Sequence, residues 1–85
     1  MTRDELRSTV LEALGNIAPD ADVAHLAPDR DLREALDIDS MDFLNFMVAI
    51  HEATGVEVPE RDYGKLSTLD GALDYLLPKL GKTGA

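Results

Sequence analysis

The stretch Asp37-Ile38-Asp39-Ser40-Met41-Asp42-Phe43-Leu44-Asn45-Phe46-Met47-Val48-Ala49-Ile50 decides how the rest of the chain is read. It passes from an acidic loop into an apolar run with helical spacing, and Ser40 stands at the junction. Asp39 is a good N-cap, so a helix is expected to follow it and to present free backbone N–H groups beside the Ser40 hydroxyl. Those groups and the helix dipole suit a phosphodiester. A neighbouring histidine, a glycine-rich nucleophile elbow and an oxyanion loop are all missing from the sequence around Ser40. Ser40 therefore reads as an attachment point rather than a nucleophile, and no residue reads as catalytic.

The helix that opens here is expected to run to about Thr54, with Gly55 as its stop. Phe43, Phe46, Met47 and Ile50 recur at spacings of three and four and make one apolar stripe. Met41, Leu44 and Val48 make a second, rotated away from the first. Full burial of one helix is difficult in so small a protein. The 43/46/47/50 stripe is therefore assigned to the core and the 41/44/48 stripe to partners; the alternative puts both in the core.

The remaining elements are also helical. Thr2 and Glu5 form a plausible capping box, and Leu6, Val10, Leu14 and Ile17 follow at helical spacing, predicting a first helix from residue 3 to 14 or 15. Residues 19–39 hold two prolines, many aspartates and no sustained period, a long loop for so short a chain. Its spaced Val23, Leu26, Leu32, Leu36 and Ile38 suggest that it is pinned to the core, with one helical turn over 31–36. Residues 56–59 read as extended, 60–65 as a brief third helix, and a last helix begins at Ser67 or Thr68 with Leu69, Leu73, Leu76, Leu77 and Leu80 on its apolar side. Pro78 weakens its last turn. The expected fold is all-α, a small four-helix bundle with a long loop between helices one and two and a short third helix. Residues 1–80 form its single domain and 81–85 a flexible tail.

Composition excludes several functions. The chain has 85 residues, no cysteine, and eight basic against seventeen acidic residues. Disulfides, thiolate metal sites and cysteine nucleophiles are excluded. Phosphate-backbone binding needs a basic face, so nucleic acid is not a partner. Twelve of the acidic residues fall between 20 and 62, against Arg30, Arg33 and Arg61, which is either a solvated face or a device for steering basic partners. No apolar stretch reaches bilayer length and the first residues lack a signal-peptide core, so a cytoplasmic, soluble protein without a membrane span is expected. Asp37, Asp39 and Asp42 do not make a calcium loop, because Val48 stands where its last ligand would be. His25 and His51 are isolated and read as solvent-facing, and Tyr63 and Tyr75 read as packing residues with wet hydroxyls.

Asp39-Ser40-Met41-Asp42, the long helix after it, Val58-Pro59 and the closing Leu66-Ser67-Thr68-Leu69 and Leu73-Asp74-Tyr75-Leu76 together resemble the acyl carrier protein family. The similarity is ungapped from about Leu36 to Leu76. The resemblance implies a non-enzymatic carrier. A phosphopantetheinyl transferase would move 4′-phosphopantetheine from coenzyme A onto Ser40, with Asp39 positioning it. The arm's thiol would hold acyl groups as thioesters for enzymes of fatty-acid, polyketide or related biosynthesis. Magnesium would belong to the transferase, leaving no permanent metal on this chain.

The same resemblance places the recognition face for enzymes with basic docking patches on Met41, Asp42, Leu44, Asn45, Val48 and Glu52, in a monomer. This sequence departs from the family at Asp37, where glycine is usual, at Met41 for leucine, and at Asn45 and His51 for glutamate. Phe43, Phe46 and Tyr63 are bulkier than usual, which suggests short, polar or polyketide-like cargo held outside the bundle. The absence of linkers suggests a discrete protein. Two other readings stay open: an aminoacyl or peptidyl carrier of a nonribosomal-type pathway, and an acidic helical interaction module in which Ser40 is never modified.

Overall fold

The computed structural model describes residues 2–83, and among them every regular element is helical. Helix α1 (Arg3–Ile17) starts where two orphan amides find side chains: the Glu5 N–H donates to Thr2 Oγ1 at 3.2 Å and the Thr2 N–H to Glu5 Oε1 at 3.0 Å. A 3₁₀ turn (Val23–His25) interrupts the loop that follows. Helix α2 (Leu32–Leu36) is one short segment capped by Asp31, whose carboxylate accepts the N–H groups of Arg33 and Glu34. Helix α3 (Ser40–Thr54) ends at Gly55, where φ is 76° and a side chain would be strained. A second 3₁₀ helix (Glu60–Leu66) leads to α4 (Leu69–Thr83).

One apolar core joins these pieces. Leu6, Val10 and Leu14 of α1, Phe46 and Ile50 of α3, and Leu69, Leu73 and Leu76 of α4 are all sealed from solvent, and α1 packs against both longer partners. Phe43 and Met47 complete the inner stripe of α3. That stripe lies in the core as expected, and Met41, Leu44 and Val48 are the exposed large hydrophobics of the described chain. The long loop is pinned as its spaced apolar residues imply: Leu26, Leu32, Leu36 and Ile38 are buried. Backbone bonds add to that. Leu32 N–H donates to Ser67 O at 2.7 Å and Asp70 N–H to Pro28 O at 2.9 Å, tying both ends of the α2 approach to the start of α4.

Several boundaries differ from expectation. Helix α1 passes Gly15 and ends at Ile17, because Ile17 and Ala18 pack on the core and the Ala18 N–H still reaches Leu14 O at 2.8 Å. That packing outweighs the cost of a helical glycine, about 1 kcal/mol. The brief third helix is 3₁₀ in type. Helix α4 begins at Leu69 rather than Ser67 or Thr68, with the Thr68 hydroxyl accepting the Gly71 N–H at 2.9 Å. Gly71 itself is required by closeness: a Cβ there would lie 2.5 Å from the Lys65 carbonyl oxygen. Helix α4 then continues through Pro78 to Thr83, past residue 81 where the tail was expected, while residues 84–85 lie outside the described chain. Leu77 and Leu80 flank Pro78 and pack against the core, which holds the last turns in register.

The expectation of wet tyrosine hydroxyls is corrected at Tyr75, which donates to Asp62 Oδ2 at 2.7 Å and so ties α4 to the second 3₁₀ helix. This bond holds the Asp62 carboxyl below its ordinary value of 3.8, with burial opposing and Lys65 assisting. A depressed folded value means that the bond's contribution is present above pH 3.8 and is lost as pH falls through the lower folded value. Tyr75→Phe is therefore expected to lower the melting temperature at neutral pH. The gap to wild type should narrow as pH falls below about 4, measured by circular dichroism.

Candidate functional site

The site is built where α2 hands over to α3. Asp37 closes α2 in the left-handed region, with φ 53° and ψ 47°, a conformation that aspartate tolerates better than most residues and that turns the chain sharply outward. Ile38 then dips into the core, which anchors the turn. Asp39 caps α3 reciprocally with Asp42: the Asp42 N–H donates to Asp39 Oδ1 at 2.9 Å, and the Asp39 N–H to Asp42 Oδ2 at 3.4 Å. This leaves the Ser40 and Met41 N–H groups without a protein acceptor among the described residues, and places the exposed Ser40 hydroxyl at the first helical position.

Beside Ser40 opens a cleft of about 430 Å³ between α3 and the second 3₁₀ helix, lined by Met41, Phe43, Leu44 and Tyr63 with Arg33 at the same mouth. Tyr63 also borders the next depression along the seam, where Val48 and Val58 line the wall. The floor is aromatic. Phe43 meets Phe46 edge-on at 6.0 Å between ring centroids and Tyr63 at 6.3 Å. The two phenylalanines are buried and fill space beneath the cleft, while the half-buried Tyr63 forms part of its wall.

Of the residues expected to face partners, Met41, Leu44 and Val48 are 65, 41 and 50 % exposed, and Asn45 and Glu52 are exposed on adjoining positions of the helix. Asp42 stands apart from them. It is half-buried, spent on the cap, and borders the opposite side of the helix beside Ile38 and Ile17. Asp39 makes its cap bond to Asp42 and no bond to Ser40, so it acts on the serine only through the helix start. The residue that does touch Ser40 is one the sequence reading passed over: Arg33 Nη2 donates to Ser40 Oγ at 2.8 Å. Its sequence signal is faint, a single cation between Asp31 and Glu34 in the turn before the motif.

His51 is held by its own helix end, with Nδ1 donating to the Val56 carbonyl at 3.1 Å, and His25 pairs with Asp22 across an exposed 3₁₀ turn. No group of three or more metal-ligating side chains gathers among the described residues. The geometry therefore offers one exposed hydroxyl, a cation and free amides beside it, and an apolar cleft at its edge. That set fits a phosphodiester-linked arm: the anion meets donors and the uncharged remainder meets the cleft.

Because the cap sets where α3 begins, Asp39→Ala should cost about 1 kcal/mol and Asp39→Ser far less. Chemical denaturation of the two variants checks this, together with amide exchange at Asp42, whose N–H the cap accepts and which should exchange faster in the alanine variant alone.

Comparison with known proteins agrees with the geometry. The family described as the phosphopantetheine attachment site matches residues 4–76. The chain is 30 % identical over 74 residues to an acyl carrier protein of Rubrobacter xylanophilus, covering 84 % of this chain and 91 % of that one. It is 32 % identical over 83 residues to polyketide-8 synthase acyl carrier protein 2 of Streptomyces avermitilis, covering 98 % and 90 %. Its fold matches a solved acyl carrier protein from Enterococcus faecalis with a TM-score of 0.77 at 24 % identity, over 92 % of this chain and 98 % of that one. The chain belongs to the acyl carrier protein family, whose members carry a 4′-phosphopantetheine arm.

Proposed function

We propose that Ser40 is the residue on which this carrier bears its 4′-phosphopantetheine. The observation that carries the assignment is the exposed Ser40 hydroxyl at the first position of a capped helix, on the rim of the apolar cleft. When bound, the arm supplies a terminal thiol for thioester chemistry, the reactive sulfur that a chain without cysteine lacks. The chain's own part is smaller and specific. Ser40 Oγ forms its bond to the pantetheine-side phosphorus of coenzyme A as the pyrophosphate bond breaks and adenosine 3′,5′-bisphosphate leaves. The hydroxyl proton goes to the transferase, which also brings the magnesium. Asp39 and Asp42 hold the helix start. No catalytic residue is assigned.

The exposed Met41, Leu44 and Val48 form the apolar part of the partner face, next to Asn45 and Glu52, and the surrounding acid steers enzymes that dock through basic patches. Asp42 contributes to this face only through its charge, since its side chain is committed to the cap. Among the described residues no helix is long and apolar enough to cross a membrane. The compartment this reading assigns is the cytoplasm, where coenzyme A and a transferase meet the folded chain. The working unit is the single chain.

Intact mass spectrometry after incubation with coenzyme A, magnesium and a promiscuous transferase tests the assignment. Wild type should gain one phosphopantetheine and Ser40→Ala none. A gain in the alanine variant would move the site elsewhere, and no gain in either would leave an unmodified interaction module.

The cargo we assign is of short, polar or polyketide type, lying along the outer cleft. It rests on the buried Phe43 and Phe46, with Tyr63 in the cleft wall, and is supported by similarity to the polyketide-8 synthase carrier. Loading an eight-carbon saturated thioester should therefore shift amide signals of Met41, Leu44 and Gly64 at the cleft and leave those of the sealed Leu6, Phe46 and Leu73 in place. Large shifts at the sealed residues, or protection of the thioester from hydrolysis, would place the chain inside the bundle instead.

A further inference from the structure

Arg33 is an unusual cation for its surroundings. In sequence it is followed or preceded within nine residues by Asp31, Glu34, Asp37, Asp39 and Asp42, in a chain of formal net charge −9. Yet among the described residues the ion pairs belong to Arg3, His25 and Lys65, and Arg33 makes none. Its one side-chain bond goes to a neutral acceptor, Ser40 Oγ, at 2.8 Å. An arginine that leaves nearby carboxylates unpaired and aims its fork at a hydroxyl is poised for an anion on that oxygen.

Resting on the assignment of Ser40 as the modified serine, we infer that Arg33 is the counter-ion of the Ser40 phosphodiester and a positioning residue for the hydroxyl before modification. Before loading, the guanidinium occupies a lone pair of Ser40 Oγ, which turns the hydroxyl proton away from α2 and toward solvent, where a transferase base can take it. After loading, the two unesterified phosphate oxygens lie two bonds beyond Oγ, through phosphorus, within reach of the same two-pronged donor. Charge complementarity favours such a partner. Each loading event adds a negative charge beside Asp39 and Asp42, and the helix end alone must otherwise offset it.

The position of Arg33 is set by structure that does not depend on its side chain. Asp31 caps α2 through the Arg33 backbone N–H at 2.9 Å, while Leu32 and Leu36 are buried on either side. Arg33→Gln therefore keeps the backbone of the site and removes only the charge and the fork.

The test is a cycle of apo and holo forms of wild type, Arg33→Gln and Arg33→Lys, each confirmed by intact mass before its melting temperature is measured in about 20 mM and about 500 mM salt. At low salt, the change in melting temperature on loading should be about 2–5 °C less favourable in Arg33→Gln than in wild type. Arg33→Lys should recover part of the difference, and high salt should abolish it. A purely structural arginine would lower apo and holo forms equally, so equal loading shifts in all three proteins would overturn the inference. Failure of wild type to load at all would instead overturn the assignment of Ser40, a result visible in the mass spectrum before any melting is done.

Discussion

Everything at this site follows from where α3 begins. The reciprocal bonds between Asp39 and Asp42 set Ser40 as the first helical residue, and an α-helix advances about 100° per residue from its start. With that phase, Phe43, Phe46, Met47 and Ile50 turn into the core, and Met41, Leu44 and Val48 turn out. A start displaced by one residue would swing the stripe by the same angle, burying the hydroxyl or baring the phenylalanines. One cap thus places the Ser40 hydroxyl, the core and the exposed apolar stripe together.

The second constraint acts from a distance. The segment before α3 lacks regular structure over much of its length, but it is not free. Leu32 and Leu36 are buried, and the backbone around them is bonded to Ser67 and Pro28–Asp70. These contacts park α2 against the start of α4, and only there can Arg33 span the seven residues to Ser40. The loop is long because it carries a working part across the mouth of the site.

The surface suits a protein that must bind many enzymes and leave each. Three exposed aliphatic side chains offer an apolar contact much smaller than a stable interface requires, and the surrounding acid raises encounter rates more than residence times. Stability is supplied elsewhere, by the sealed aliphatic and aromatic residues shared among α1, α3 and α4. The division lets the exposed stripe vary without touching the core.

What the sequence determined by itself was whatever local chemistry decides. The Thr2–Glu5 box, the Asp39 cap and the Gly55 stop use partners three or four residues apart, and the two stripes of α3 need only helical spacing, so all were legible in order along the chain. The family motif around Ser40 was legible for the same reason. Tertiary structure decided the rest. Helix α1 passes Gly15 because Ile17 finds a core, α4 passes Pro78 because Leu77 and Leu80 do, and Tyr75 loses its solvent to Asp62, thirteen residues away. Arg33 is the sharpest case. Nothing in its neighbours distinguishes it from a solvated surface cation, and its role exists only because buried leucines and backbone bonds to a distant segment bring it to the serine. Local hydrogen bonds can be read from spacing; the position of a side chain carried by packing cannot.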